Sequence, residues 1–130
     1  MQRLIVCICF FITINALGQS KQPVTVTDML KIRSIGNVTL SPDGSKAAFT
    51  VTAIESDAET KWDYKYVTQI WMVLTDGPST PRQLTTKESA AQPAWSPDGK
   101  QLAFTRAIDG KAQIFLLSLD GGEAVQLTKF

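Results

Sequence analysis

Residues 41–50 read Ser-Pro-Asp-Gly-Ser-Lys-Ala-Ala-Phe-Thr, and residues 96–105 read Ser-Pro-Asp-Gly-Lys-Gln-Leu-Ala-Phe-Thr; seven of the ten positions are identical. The correspondence continues downstream. Ile70-Trp71-Met72-Val73-Leu74 matches Ile114-Phe115-Leu116-Leu117, Asp76-Gly77 matches Asp120-Gly121, and Gln83-Leu84-Thr85 matches Gln126-Leu127-Thr128. The offsets are 55, 44 and 43 residues in turn, so the first copy carries eleven extra residues between its second and third strands. Self-similarity at a period of about 40 residues marks a repeat architecture in which each unit is one supersecondary element.

Each copy reads as four short strands. Val38-Thr39-Leu40 enters the turn Ser41-Pro42-Asp43-Gly44, and Lys46 to Val51 leaves it. Proline presets φ, the aspartate side chain bonds to nearby backbone, and glycine accepts the left-handed conformation that reverses the chain. A hairpin is therefore predicted. Tyr66 to Leu74 is a third strand rich in aromatic and β-branched residues, and Arg82-Gln83-Leu84 a short fourth. The second copy runs through Pro93-Ala94-Trp95, the turn Ser96-Pro97-Asp98-Gly99, Gln101 to Thr105, Gln113 to Leu119 and Val125-Gln126-Leu127. Four strands per 40-residue unit is one blade of a β-propeller. The predicted fold is all-β: the first two blades of a propeller, about 37–85 and about 93–128, in an incomplete ring over 37–130.

The Ser-Pro-Asp-Gly hairpin with Ala-Phe after it, closed by Gln-Leu-Thr, resembles the propeller repeat of TolB and of the prolyl oligopeptidase family. A WD-type blade would carry Gly-His and Trp-Asp pairs, and the chain has no histidine. The segment before the first blade separates the two relatives. Thr25-Val26-Thr27-Asp28 is a capping-box pattern, Met29 to Arg33 then reads as one or two helical turns, and Gly36 ends them. A short helix leading directly into the first blade, within an extension at 19–36, is similar to the secreted dipeptidyl-peptidase and acylaminoacyl-peptidase branches of the family. TolB-like chains place a further α/β domain there. The resemblance implies a propeller that gates peptide substrates to an α/β-hydrolase domain with a Ser-Asp-His triad, working by acyl transfer. The alternative it leaves is a periplasmic, TolB-like propeller that only binds proteins.

None of that catalytic machinery lies within the 130 residues: there is no histidine and no Gly-x-Ser-x-Gly elbow. No catalytic, metal or cofactor residue is assigned, and the serine-peptidase activity is expected of a longer parent with a C-terminal hydrolase domain. The chain stops at Phe130, where a third blade is expected.

Residues 1–18 read as a signal peptide. Arg3 precedes an unbroken apolar run from Leu4 to Ile14, and small residues at Ala16 and Gly18 place cleavage between Gly18 and Gln19. The run is shorter than the roughly 20 residues that span a bilayer, so no stable membrane anchor is expected after cleavage. Export to the bacterial periplasm or exterior follows. Cys7 and Cys9 both lie in the run, which leaves the mature chain without thiol chemistry, and losing Arg3 brings 13 basic residues to 12 against 12 acidic. A neutral chain without a basic patch speaks against nucleic acid as a partner.

Asp43 and Asp98 read as turn residues rather than metal ligands, since no carboxylate cluster surrounds either. Trp62, Tyr64 and Tyr66 alternate with charged residues and read as one buried face of a lengthened hairpin, or as a substrate-facing aromatic patch. Glu55-Ser56-Asp57-Ala58-Glu59 reads as a solvated loop tip, although its charge suits an N-terminal amine. Asn37-Val38-Thr39 is a glycosylation sequon. Two blades without neighbours are expected to leave the faces bearing Trp95, Phe104 and Phe115 uncovered, along with open strand edges.

Overall fold

The structure, a computed structural model, describes residues 21–56, 60 and 63–130. A single helical turn, α1 (Val26–Met29), precedes eight strands: β1 (Ser34–Leu40), β2 (Lys46–Ser56), β3 (Tyr64–Leu74), β4 (Arg82–Gln83), β5 (Ala90–Trp95), β6 (Gln101–Ile108), β7 (Lys111–Ser118) and β8 (Val125–Gln126). They form two four-stranded antiparallel sheets, each in sequential order β1-β2-β3-β4 and β5-β6-β7-β8. Neither sheet closes on itself. These are two blades of a propeller whose ring is open.

The N-terminal boundary differs from the sequence expectation. The helix is only Val26–Met29, and Gly36 does not end it: Gly36 lies inside β1, opposite Thr50 of β2. Asp28 holds the turn by accepting hydrogen bonds from the Thr25 amide at 3.0 Å and the Thr25 hydroxyl at 2.7 Å, but helical order stops at Leu30 because strand pairing claims the chain from Ser34. β1 pairs with β2 through Ser34, Ile35 and Gly36, then shifts register before Thr39. β5 does the same between Ala91 and Ala94. The bulges sit on equivalent residues, Asn37 (φ 46°) and Gln92 (φ 53°), one repeat apart. The extra residue of a bulge takes up the left-handed backbone and sharpens the twist of the innermost strand.

The eleven surplus residues of the first blade lengthen one hairpin. β2 and β3 each run eleven residues, against eight for β6 and β7, and the connection spans 57–63 instead of Asp109-Gly110. The register is continuous from Lys46↔Leu74 to Ser56↔Tyr64.

Strand periodicity gives each blade two faces. In the second blade one face carries the rows Trp95–Leu102–Leu117, Phe104–Phe115–Gln126 and Ala90–Arg106–Gln113. It packs against the face of the first blade that carries Ala48, Met72, Thr50 and Ile70. Ala48, Ile70, Ala90, Leu102, Phe104, Phe115 and Leu117 form one buried cluster, with Leu84, Trp95, Ile108 and Ala124 packed on it. The core is thus the interface between the blades. This corrects the expectation that Phe104, Phe115 and Trp95 lie uncovered: Phe104 and Phe115 are buried, Trp95 is half-buried, and its indole N–H donates to the Thr39 carbonyl at 3.2 Å. The reason is directional. Of its two faces, the second blade turns the large aromatic one backward onto the first blade.

Candidate functional site

The repeated turns come first because the sequence singles them out. Ser41 donates its hydroxyl hydrogen to Asp43 Oδ1 at 2.6 Å, Asp43 accepts from the Ser45 amide and hydroxyl, and the Lys46 amide donates back to Ser41 Oγ at 2.9 Å. The second turn repeats this arrangement: Ser96 donates to Asp98, Lys100 N to Asp98 at 3.1 Å, and Gln101 N to Ser96 Oγ at 2.9 Å. Gly44 (φ 71°) and Gly99 (φ 67°) supply the left-handed residue, each donating its amide to the serine carbonyl three residues back. Pro42 and Pro97 are exposed at the turn tips. These eight residues are occupied with the turn itself, and among the described residues no group of three His, Cys, Asp or Glu side chains is placed to hold a metal.

The donors around the turn aspartates have a consequence in acid. The Ser41 hydroxyl, then the Ser45 hydroxyl and amide, hold the Asp43 carboxyl well below its usual range; the Ser96 hydroxyl does the same for Asp98. Lys31 and then Thr25 lower Asp28 to about 2. A carboxyl depressed on folding stabilises the fold above its unfolded value and loses that contribution as pH falls through the folded one. The thermal midpoint is therefore expected to be level from neutral pH to about 5 and to decline below about 4, where the unfolded chain begins to take up the protons that the folded carboxyls still resist. The decline is shallow because all three are exposed. The double variant Asp43→Asn, Asp98→Asn should decline less; an unchanged acid slope by calorimetry would show that the turns contribute nothing to it.

Closing each blade is a polar network built on the Gln-Leu-Thr signature and a glutamine of the third strand. Thr85 accepts from the Ile70 amide at 2.9 Å and donates to Gln69 Oε1 at 2.6 Å, while Gln69 Nε2 donates to the Lys87 carbonyl at 2.7 Å. Thr128, Ile114 and Gln113 repeat it, with Thr128 Oγ1 2.9 Å from both partners. Gln83 and Gln126 each donate to the carbonyl of the threonine two residues on. The Gln-Leu-Thr signature is therefore a device for ending the outermost strand. Its threonine replaces the strand hydrogen bond that β4 or β8 is too short to make, and its leucine turns toward the next blade. The signal was present in the sequence as glutamine at the same place in both third strands.

One buried charge interrupts the repeat. Arg106 occupies the position of Val51 and lies between the blades, its guanidinium carbon 5.3 Å from the Phe104 ring centre and 5.0 Å from that of Phe115. Those rings stack at 5.7 Å. Arg106 faces a cavity of about 160 Å³ that Lys87, Glu123 and Thr85 also line. Its Nε has no hydrogen-bond partner among the described residues, and Glu88 Oε2 stands 3.9 Å away. Cation–π contact returns about 1–2 kcal/mol, while desolvating the charge costs several. Arg106→Val, which copies the first blade, is accordingly expected to change stability by less than about 1 kcal/mol in denaturant unfolding; a loss above about 3 kcal/mol would mean that the guanidinium is fully satisfied.

Gly18, Gln19 and Trp62 lie outside the described residues, as do Asp57 to Glu59. Tyr64 and Tyr66 are exposed, not buried as a hairpin face, because the lengthened hairpin extends beyond the cover of the second blade. Tyr66 with Val26, Met29 and Ile32 lines an apolar groove against α1.

No family model matches the chain. It is 34% identical over 110 residues to the uncharacterised peptidase YuxL of Bacillus subtilis, and 28% identical over 117 residues to dipeptidyl-peptidase 5 of Porphyromonas endodontalis. These alignments take in 83% and 88% of the chain but only 16% of either relative. Among solved structures it superposes on Pyrococcus horikoshii acylaminoacyl peptidase (TM-score 0.57, 23% identity, 76% of this chain, 14% of that one). The AtxE2 isopeptidase gives 0.64 at 23% identity, over 83% of this chain and 20% of that one. The matched relatives are peptidases, and the two blades align with a small part of each. The chain spans about one sixth of the length of the curated peptidases it matches, and corresponds to part of the propeller in acylaminoacyl peptidase.

Proposed function

We propose that these two blades belong to the propeller of an exported serine peptidase, where they help wall the route by which peptides reach a separate α/β-hydrolase domain. The observation that carries this reading is the 34% identity to a peptidase along 83% of the chain. Hydrolysis itself belongs to that other domain: no histidine is present here to activate a serine. The polar, self-satisfied turns and blade ends suit a scaffold, and the apolar run from Leu4 to Ile14 suits export. The test is to read the coding sequence beyond the Phe130 codon and express all of it. Further Ser-Pro-Asp-Gly blades, a Gly-x-Ser-x-Gly elbow and labelling of that serine by a fluorophosphonate are expected. A stop codon directly after Phe130, or an extended protein that neither labels nor cleaves peptide substrates, would remove the peptidase reading.

A further inference from the structure

Arg106 is 8% exposed, and among the described residues its Nε is left without a hydrogen bond. It lines the cavity of about 160 Å³ between the blades, where buried Arg106 and Leu117 form the inner end and exposed Lys87 and Glu123 the mouth. The walls come from both blades: Leu84 to Lys87 follow the last strand of the first, and Gly122 to Ala124 join β7 to β8 of the second. Arg106 and Leu117 lie on the face of the second blade that packs on the first. A following blade would stack on the opposite face, so it is not what this cavity lacks. Nor does either nearby carboxylate serve the guanidinium. Glu88 Oε2 is 3.9 Å from Nε, beyond hydrogen-bond reach, and its side chain is 66% exposed. Glu123 is 87% exposed and accepts instead from Lys87 at 3.4 Å. The Thr85 hydroxyl, also lining the cavity, is spent on the Ile70 amide and Gln69.

We infer that this cavity binds a small carboxylate on a short apolar stem, its oxygens on Arg106 and its carbons against Leu84, Leu117 and Ala124. The guanidinium offers its Nε–H and an Nη–H as two parallel donors, which the two oxygens of a planar carboxylate match. A buried cation without a partner is costly, and an anion that pairs with it recovers that cost on binding. The three apolar side chains lining the same cavity favour a stem of a few carbons over a bare inorganic ion. The space is several times the roughly 10–15 Å³ that a single buried water requires. Lys87, at the mouth, adds a second positive charge on the way in. Two sources carry this chemistry: a free short-chain acid and the C-terminal residue of a peptide. The inference is independent of the peptidase reading, since it depends only on the cavity and its arginine.

The experiment is calorimetric titration, at constant ionic strength, of the protein produced from its complete coding sequence. The probes are butyrate, its neutral isostere butyramide, and N-acetylalanine as the end of a peptide. Saturable binding of a carboxylate probe is expected, and none of butyramide. Tighter binding of N-acetylalanine assigns the site to a peptide end; tighter binding of butyrate assigns it to a free short-chain acid. Arg106→Val removes the charge-assisted bonds, and Arg106→Lys keeps the charge without the fork, so each should weaken binding by about tenfold or more. Glu88→Gln removes a competing negative charge beside Nε and should tighten binding by about twofold or more. The inference is overturned if neither carboxylate binds saturably to the wild type or to Glu88→Gln, if butyramide binds as well as butyrate, or if both Arg106 variants bind like the wild type.

Discussion

Alanine in place of Phe104 is expected to destabilise the two-blade unit by about 3–5 kcal/mol, the range for removing a buried aromatic side chain. Phe104 is 1% exposed, stacks on Phe115 and carries one side of the Arg106 guanidinium. Its loss opens a void in the apolar contact between the blades, and removes one of two rings that compensate the buried charge. Since a small domain has only about 5–15 kcal/mol in total, the variant should lose much of its cooperative transition. Phe49→Ala is the control, because the same residue type at the equivalent repeat position is half-buried on the outward face. Its loss should be less than half as large. Urea unfolding followed by tryptophan fluorescence measures both; equal losses would mean that the interblade contact does not dominate the energetics.

Thr85→Val is expected to cost about 2–4 kcal/mol while Thr128→Val costs under about 1 kcal/mol, although the two threonines make the same bonds. Valine keeps the shape and removes the hydroxyl, orphaning the Ile70 amide and Gln69 Oε1 in one blade but only the Ile114 amide in the other, where the Phe130 amide still donates to Gln113 Oε1 at 3.1 Å. Thr85, Gln69 and Ile70 are all buried, so water has poor access to the orphaned groups. Thr128 is half-exposed beside the outward-facing Ile114, where water substitutes. Unfolding midpoints of the two variants compare them directly, and similar values would refute the dependence on burial.

Much of this was legible in the residues. Ser-Pro-Asp-Gly twice, with matched third strands and Gln-Leu-Thr at matched offsets, identified the blade and its four strands, because turn chemistry is local and needs no knowledge of the rest of the fold. The eleven surplus residues were located correctly between the second and third strands, though only the structure divides them between the two strands and their connection. The strand starting at Ser34 was missed because Lys31 to Gly36 reads equally well as the end of a helix; pairing with Thr50 to Thr52 decides it, and that partner lies fourteen or more residues away.

The alternation of Leu102, Phe104 and Arg106 with Ala103 and Thr105 established by itself that the second blade has two faces, and the repeat established that the first blade has the same two. Which of them is covered was decided only by the stacking of one sheet on the other. A period of two is symmetric between faces, whereas burial requires a specific neighbour. That asymmetry puts Phe104 in the core and Phe49 at its edge, shields Thr85 and leaves Thr128 wet, and buries an arginine that any reading of composition would have placed in water.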